Sequence, residues 1–238
     1  MIGLVDAGVD AASHVLDERA EGARADLRHL ELGVGVDACV DHGVDSFEDG
    51  GAGRIDDVAA ARQATEHLLG LGRRRIAAIG DQPYATGEAA QLRTRGFRMA
   101  HASAGLPVCE ELVVPRPRFN RRDGAEAMAA LLDLPEPPDA VFCYSDLVAL
   151  GAVHTLAERG LRVPEDVAVI GYDDVEDGRY SNPTLSTISQ DRRMIAESAV
   201  ERLIARIGFD RPPRGVEIRA PHRLIARQST LGRAVAAS

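Results

Sequence analysis

The sequence has no lysine and no tryptophan. All 28 basic residues are arginine, which marks a high-GC coding bias and carries no chemistry of its own. Aromatic residues make up only 4%, so the stacking surface usual in sugar sites is thin; Tyr84, Phe142 and Tyr144 are its nearest candidates. The three cysteines, Cys39, Cys109 and Cys143, are odd in number and form no CxxC pair. That excludes a disulfide framework and fits a reducing cytosol. No run approaches the roughly 18 apolar residues of a membrane span. At the start, Met1-Ile2-Gly3-Leu4-Val5 runs into Asp6 and Asp10, where a secretory signal needs a basic stretch and a longer apolar one. The expected location is cytoplasmic, with no membrane partner.

Catalytic templates are missing too. There is no GxSxG elbow, no HExxH and no Walker loop, and Gly33-Val34-Gly35 lacks the third glycine of a dinucleotide fingerprint. The chain is therefore expected not to be an enzyme and to use no cofactor. His14, His29 and His42 lie among many aspartates, but their spacing matches no common metal-ligand pattern, so no metal site is expected.

What is present fits a globular protein. The chain has 238 residues, 45% hydrophobic and 27% charged, enough for one large domain or two lobes. Its net charge of −9 disfavours gripping nucleic acid through phosphates. That charge is unevenly placed: residues 1–54 hold 12 acids against 4 arginines, and residues 55–238 hold 25 against 24. Residues 1–54 also repeat a Gly-Val-Asp triplet irregularly and end on Gly50-Gly51-Ala52-Gly53. One helix, about 13–30, is expected within them, and a boundary near residue 54.

From residue 55 onward, short apolar runs alternate with helical patterns, the signature of βαβ units and a parallel sheet flanked by helices. Ala60, Ala64, Leu68 and Leu71 line one side of a helix closed by Gly72. Arg75–Gly80 follows as a buried strand, then a loop over 81–87, a helix over about 88–103 closed by Gly105, a strand at 112–114 and a helix over about 122–132 stopped by Pro135, Pro137 and Pro138. Ala140–Tyr144 is the next strand. Ser145 is placed as an N-cap, with Asp146 in the first turn of a helix reaching about Arg159 and ending at Gly160. Val167–Tyr172 is an apolar strand leading to the acidic loop 173–177. A segment at 185–188, a long helix over about 191–207 and short strands at 216–219 and 223–226 complete the pattern.

An open parallel sheet collects ligands just outside the carboxyl ends of its strands. Four sets of residues fall there: Asp81 and Gln82 with Arg93 on the next helix; Ser145 and Asp146; Asp173 and Asp174; and Gln190. An arginine, carboxylates, an amide and a hydroxyl converging on one cleft suit hydrogen bonding to a small polyol. Spacing alone equally allows Ser145 and Asp146 merely to cap a helix, and Asp173 and Asp174 merely to turn a loop.

Several stretches resemble, in order, the effector-binding domain of the LacI/GalR family of bacterial transcription regulators, which is similar to periplasmic sugar-binding proteins. They are Arg62-Gln63-Ala64-Thr65-Glu66-His67-Leu68-Leu69, Arg93-Thr94-Arg95-Gly96-Phe97, Tyr144-Ser145-Asp146-Leu147-Val148-Ala149-Leu150-Gly151-Ala152, Val163 through Asp174, Pro183-Thr184-Leu185-Ser186-Thr187-Ile188 and Arg227-Gln228-Ser229-Thr230. The resemblance implies a periplasmic-binding-protein-like fold with one complete lobe and one incomplete lobe: 55–188 as the C-terminal lobe, 189–220 as an element of the N-terminal lobe, 221–230 as a return strand and 231–238 as a tail. It assigns Arg93 and Asp173 to direct effector bonds, puts Ser145 where the family often has Asn or Thr, places Gln190 near the hinge and Ile55 in the apolar wall of the cleft, and leaves Asp146 to cap its helix. It also implies a small-molecule effector, a sugar by class, and a homodimer through the helix 147–159 and the strand 167–170. The family's helix-turn-helix head has no counterpart in residues 1–54, which match nothing in register and could arise from another reading frame; DNA contact is expected only through such a head. Other readings are a solute-binding protein for sugar uptake, which would need an export signal, and a dimerisation remnant that binds nothing.

Overall fold

The computed structural model describes residues 53–83, 88–206 and 218–232. The expected helix at 13–30, the three N-terminal histidines, Tyr84 and the rest of 1–52 lie outside the described residues. Two compact units divide the chain: Gly53–Ala196 with Glu217–Ser238, and Met1–Ala52 with Glu197–Val216. Of the second, only the helical stretch Glu197–Arg206 is described.

The first unit is built in alternation: β1 (Gly53–Ile55), α1 (Asp57–Gly70), β2 (Ile76–Asp81), α2 (Glu88–Ser103), β3 (Val113–Pro115), α3 (Arg121–Leu132), β4 (Ala140–Cys143), α4 (Asp146–Glu158), β5 (Ala168–Tyr172), α5 (Glu176–Tyr180) and β6 (Ser186–Gln190). After these come α6 (Arg192–Arg206), β7 (Ile218–Ala220), β8 (His222–Ile225) and α7 (Gln228–Leu231). The main sheet has the order β3-β2-β4-β5-β6-β8; it is parallel except for β8, which runs antiparallel to β6. β1 pairs separately with β7. The α/β class, with helices on a mostly parallel sheet, is as the sequence predicts. The short elements β1, α5 and α7 are not, because three to five residues carry too little period to read.

Pleating explains the two cores. Successive strand residues point to opposite faces, so Ile76 and Ala78 join Phe142, Ile170, Leu68 and Phe97 in one cluster. Ala77 and Ile79 join Val141, Val169, Met128 and Leu156 in the other. Strands buried on both faces read as unbroken apolar runs, which is why the sequence shows them clearly. On the second face α3 and α4 cross at contact distance: a Cβ on Gly151 would meet the Arg121 carbonyl oxygen at 1.9 Å, and one on Gly124 the Val148 oxygen at 2.1 Å. Glycine is needed at both because backbone meets backbone there.

The strand order places a topological switch between β2 and β4: the chain moves outward to β3 on one side and to β4, β5 and β6 on the other. At such a point the connections diverge to opposite faces and leave a crevice at the carboxyl ends of the strands.

Candidate effector site

Arg93 on α2 reaches this crevice. Its Nε donates to Asp57 Oδ1 at 2.8 Å and its Nη1 to the Tyr144 carbonyl at 2.5 Å. The guanidinium lies 3.8 Å from the centroid of the Tyr172 ring, and the Tyr172 hydroxyl donates to the same Asp57 oxygen at 2.7 Å. Burial opposes the Arg93 charge, but the surrounding Tyr172, Asp57 and Asp173 outweigh it and raise the pKa. The result is a permanently charged group fixed in plane by three elements, with Nη2 making no hydrogen bond among the described residues. Such a fork is prearranged for an oxygen-rich ligand.

Asp173 and Asp174 follow β5 with φ of 113° and 54°. The first lies outside the left-handed well that aspartate tolerates, so its backbone is strained. Its N–H donates to the Ile188 carbonyl at 2.8 Å, its carbonyl accepts from Arg192, and its Oδ1 accepts from Gln190 Nε2 at 2.8 Å. Asp174 turns the other way, accepting from Arg227 at 2.6 Å and Arg179 at 2.8 Å. Burial would raise its pKa, yet these two arginines prevail and lower it.

Ser145 is 1% exposed, and its Oγ accepts from the Leu147 N–H at 3.2 Å, capping α4. Asp146 does not cap, contrary to expectation. Its Oδ1 accepts from the Thr187 hydroxyl at 2.7 Å and its Oδ2 from the Val175 N–H at 2.8 Å, tying the start of α4 to β6 and to the loop after β5. The Ser145 side chain already satisfies the helix end, which frees the Asp146 carboxyl for this longer reach. Burial, reinforced by the charge of Asp173, pushes the Asp146 pKa up to about 8.

Arg93, Asp173 and Gln190 thus come together, joined through Tyr172, with Ser145 one residue beyond the carbonyl that Arg93 grips. Ile55 is buried in the first core cluster at the end of β1. Phe142 and Tyr144, offered as stacking rings, are both fully buried in the core, because alternate residues of β4 face α1 and α2; a ligand has no access to them. Phe119 is the ring the sequence reading missed. It packs against the core, stands 5.9 Å from the Arg93 guanidinium, and with Tyr144 crowds Gly80, where a Cβ would come within 2.8 Å of Tyr144 and 3.1 Å of Phe119. Asp57 was missed as well, since in sequence it is one more acid in a first helical turn, 36 residues from its partner.

The comparisons with known proteins bear on this arrangement. Residues 65–230 match the model of the periplasmic binding protein-like domain. A putative LacI-family transcriptional regulator from Sanguibacter keddieii is 48% identical, with a TM-score of 0.68 over 75% of this chain and 67% of that one. The chain belongs to the LacI family. The match is to the effector-binding domain, as the sequence resemblance implies. A LacI-family regulator from Enterococcus faecium, solved with bound ribose, is 31% identical with a TM-score of 0.67, over 76% of this chain and 65% of that one. The transcriptional repressor PurR of Aliivibrio fischeri is 38% identical over 176 residues, covering 71% of this chain and 50% of the repressor. This LacI-type chain thus spans about half the length of the curated relatives it matches. Those relatives are repressors and not enzymes, in line with the missing catalytic templates. Among the described residues no cluster of His, Cys, Asp and Glu could hold a metal, and no helix is long and apolar enough to cross a membrane.

Proposed function

We propose that this LacI-type domain senses a small polyol, a sugar or a sugar-containing molecule, for a cytoplasmic transcription regulator. Arg93, Asp173 and Gln190 hydrogen-bond the effector, Ser145 sits at the edge of the site, and Phe119 supplies the ring that Phe142 and Tyr144 cannot. The observation that carries this reading is the Arg93 fork, clamped on Asp57 and Tyr144 and stacked on Tyr172, with Nη2 making no hydrogen bond among the described residues. Fixing a guanidinium in advance removes much of the ordering cost of binding. The ribose bound by the Enterococcus faecium relative supports the sugar class. In the same reading residues 55–188 form the C-terminal lobe, 189–220 belong to the N-terminal lobe and 221–230 return, the domain dimerises, and DNA contact falls to a helix-turn-helix head outside the matched residues.

Thermal-shift screening of a sugar and nucleoside panel tests the proposal, since a ligand that binds only the folded state raises its apparent stability. A hit should vanish on Arg93→Ala in calorimetric titration. Unchanged binding in that variant would overturn the assignment.

A further inference from the structure

Beside Asp173 and Gln190 the structure holds a pocket of about 490 Å³, within the first compact unit. Its floor is the edge of β6 and β8, whose register sets Ser189 opposite Arg223 and Gln190 opposite His222; its far wall is the first turn of α6. Four arginines line it, Arg179, Arg192, Arg193 and Arg223, together with His222. Three carboxylates line it too, but each is held by a protein donor. Asp174 is gripped by Arg179 and, from outside the pocket, by Arg227; Asp191 accepts from the Met194 N–H at 2.9 Å; Asp173 accepts from Gln190. The Arg223 guanidinium is exposed and makes no hydrogen bond or ion pair among the described residues, and Arg193 is exposed at the same rim. Four guanidiniums line the pocket against three carboxylates, in a chain whose net charge is −9.

We propose that this pocket receives a phosphate group, so that the effector is a phosphorylated small polyol. Guanidinium forks match the oxygens of a phosphate monoester, and several of them around one concave site give orientation as well as charge. The volume lies in the range of small-molecule sites, roughly 300–1,000 Å³, so it has room for the attached carbon skeleton beyond the phosphate. Asp174, held by two arginines, is a poor acceptor for further hydroxyls, and Asp173 is left to the polyol, so the arginines set the selectivity for the phosphate. This inference rests on the effector reading above, because Asp173 and Gln190 line both places.

Calorimetric titration at low salt with inorganic phosphate, ribose 5-phosphate and ribose, on the full chain and on Arg193→Gln, Arg223→Gln and the double variant, tests it. Both arginines are exposed, and unchanged thermal unfolding of the variants establishes that they fold. Expected is binding of both phosphate compounds, ribose 5-phosphate at least roughly tenfold more tightly than ribose, with a loss of roughly tenfold or more in the double variant. Ribose 5-phosphate binding no tighter than ribose would overturn the proposal, as would phosphate affinity unchanged in the double variant. If ribose 5-phosphate binds no tighter than inorganic phosphate, and Arg93→Ala changes neither, the pocket stands as a phosphate site while the polyol reading at Arg93 fails.

Discussion

The turns leaving β4 and β5 are neighbours in one sheet, and each carries two small polar residues just past its strand, Ser145-Asp146 and Asp173-Asp174, yet they are built on opposite principles. At the first, Ser145 is in extended conformation with φ −151° and ψ 153° and caps its helix from one residue away, a local solution. At the second, both residues have positive φ, and what holds them lies outside the turn: Ile188, Gln190 and Arg192 for Asp173, Arg179 and Arg227 for Asp174. The lesson is a division of labour. A helix start capped by its own side chain shapes the fold, whereas in a strained turn pinned from outside one carboxylate supplies the anchoring, which in the proposed reading frees its neighbour for the ligand.

Removing the anchor is expected to have the largest effect. Asp174→Ala leaves the Arg227 guanidinium, only 18% exposed, without its carboxylate and should cost about 3 kcal/mol, as for other buried pairs broken on one side; Arg179, 55% exposed, adds little. Urea unfolding measures it, and a loss below that for Ser145→Ala would reverse the contrast between the turns.

Asp146 links the two turns and comes next. Asp146→Ala strands the Thr187 hydroxyl and the Val175 N–H and should cost about 2 kcal/mol, while Asp146→Asn can still accept from Val175 and pair with Thr187. The pH dependence has a definite sign. With its folded pKa raised to about 8 from 3.8, the neutral carboxyl is the form the fold favours, so its stabilisation is fully present below about pH 4 and is lost as pH rises through 8. Asparagine does not titrate. Relative to the wild type, Asp146→Asn should therefore gain stability, on the order of 4 kcal/mol, between pH 5 and pH 9. A constant difference between the two melting temperatures across that range would show that Asp146 titrates normally.

The same contrast explains what could be read from the sequence. Strands buried on both faces, the cap at Ser145 and the helix stops at Gly72, Gly105 and Gly160 are local signals and were legible residue by residue. Arg93, Asp173 and Gln190, singled out by the family resemblance and the strand-end rule, lie close together in the structure because they follow β2, β5 and β6 at one end of the sheet. Asp57 and Phe119 escaped, and Arg227 was seen only as part of a family-like stretch, because their roles exist only through partners 36, 26 and 53 residues away, where no period or spacing records them. Tyr144 misled for the matching reason: an aromatic beside a strand end looks available until the pleat turns it into the core.

Two smaller effects isolate the local turn and the strained one. Ser145→Ala deletes one cap bond and should cost about 1 kcal/mol, read by urea unfolding. Asp173→Gly is the sharper case. It relieves a backbone at φ 113°, a gain on the order of 1 kcal/mol. Against this stand the added freedom of glycine in the unfolded chain, about 0.5–1 kcal/mol, and the loss of the Gln190 bond, about 1 kcal/mol. The backbone bonds to Ile188 and Arg192 survive, so stability should fall by no more than about 1 kcal/mol while effector affinity disappears in calorimetry. A large loss of stability in this variant would mean that the Asp173 carboxylate serves the fold as Asp174 does, and the two residues of the strained turn would no longer have separate tasks.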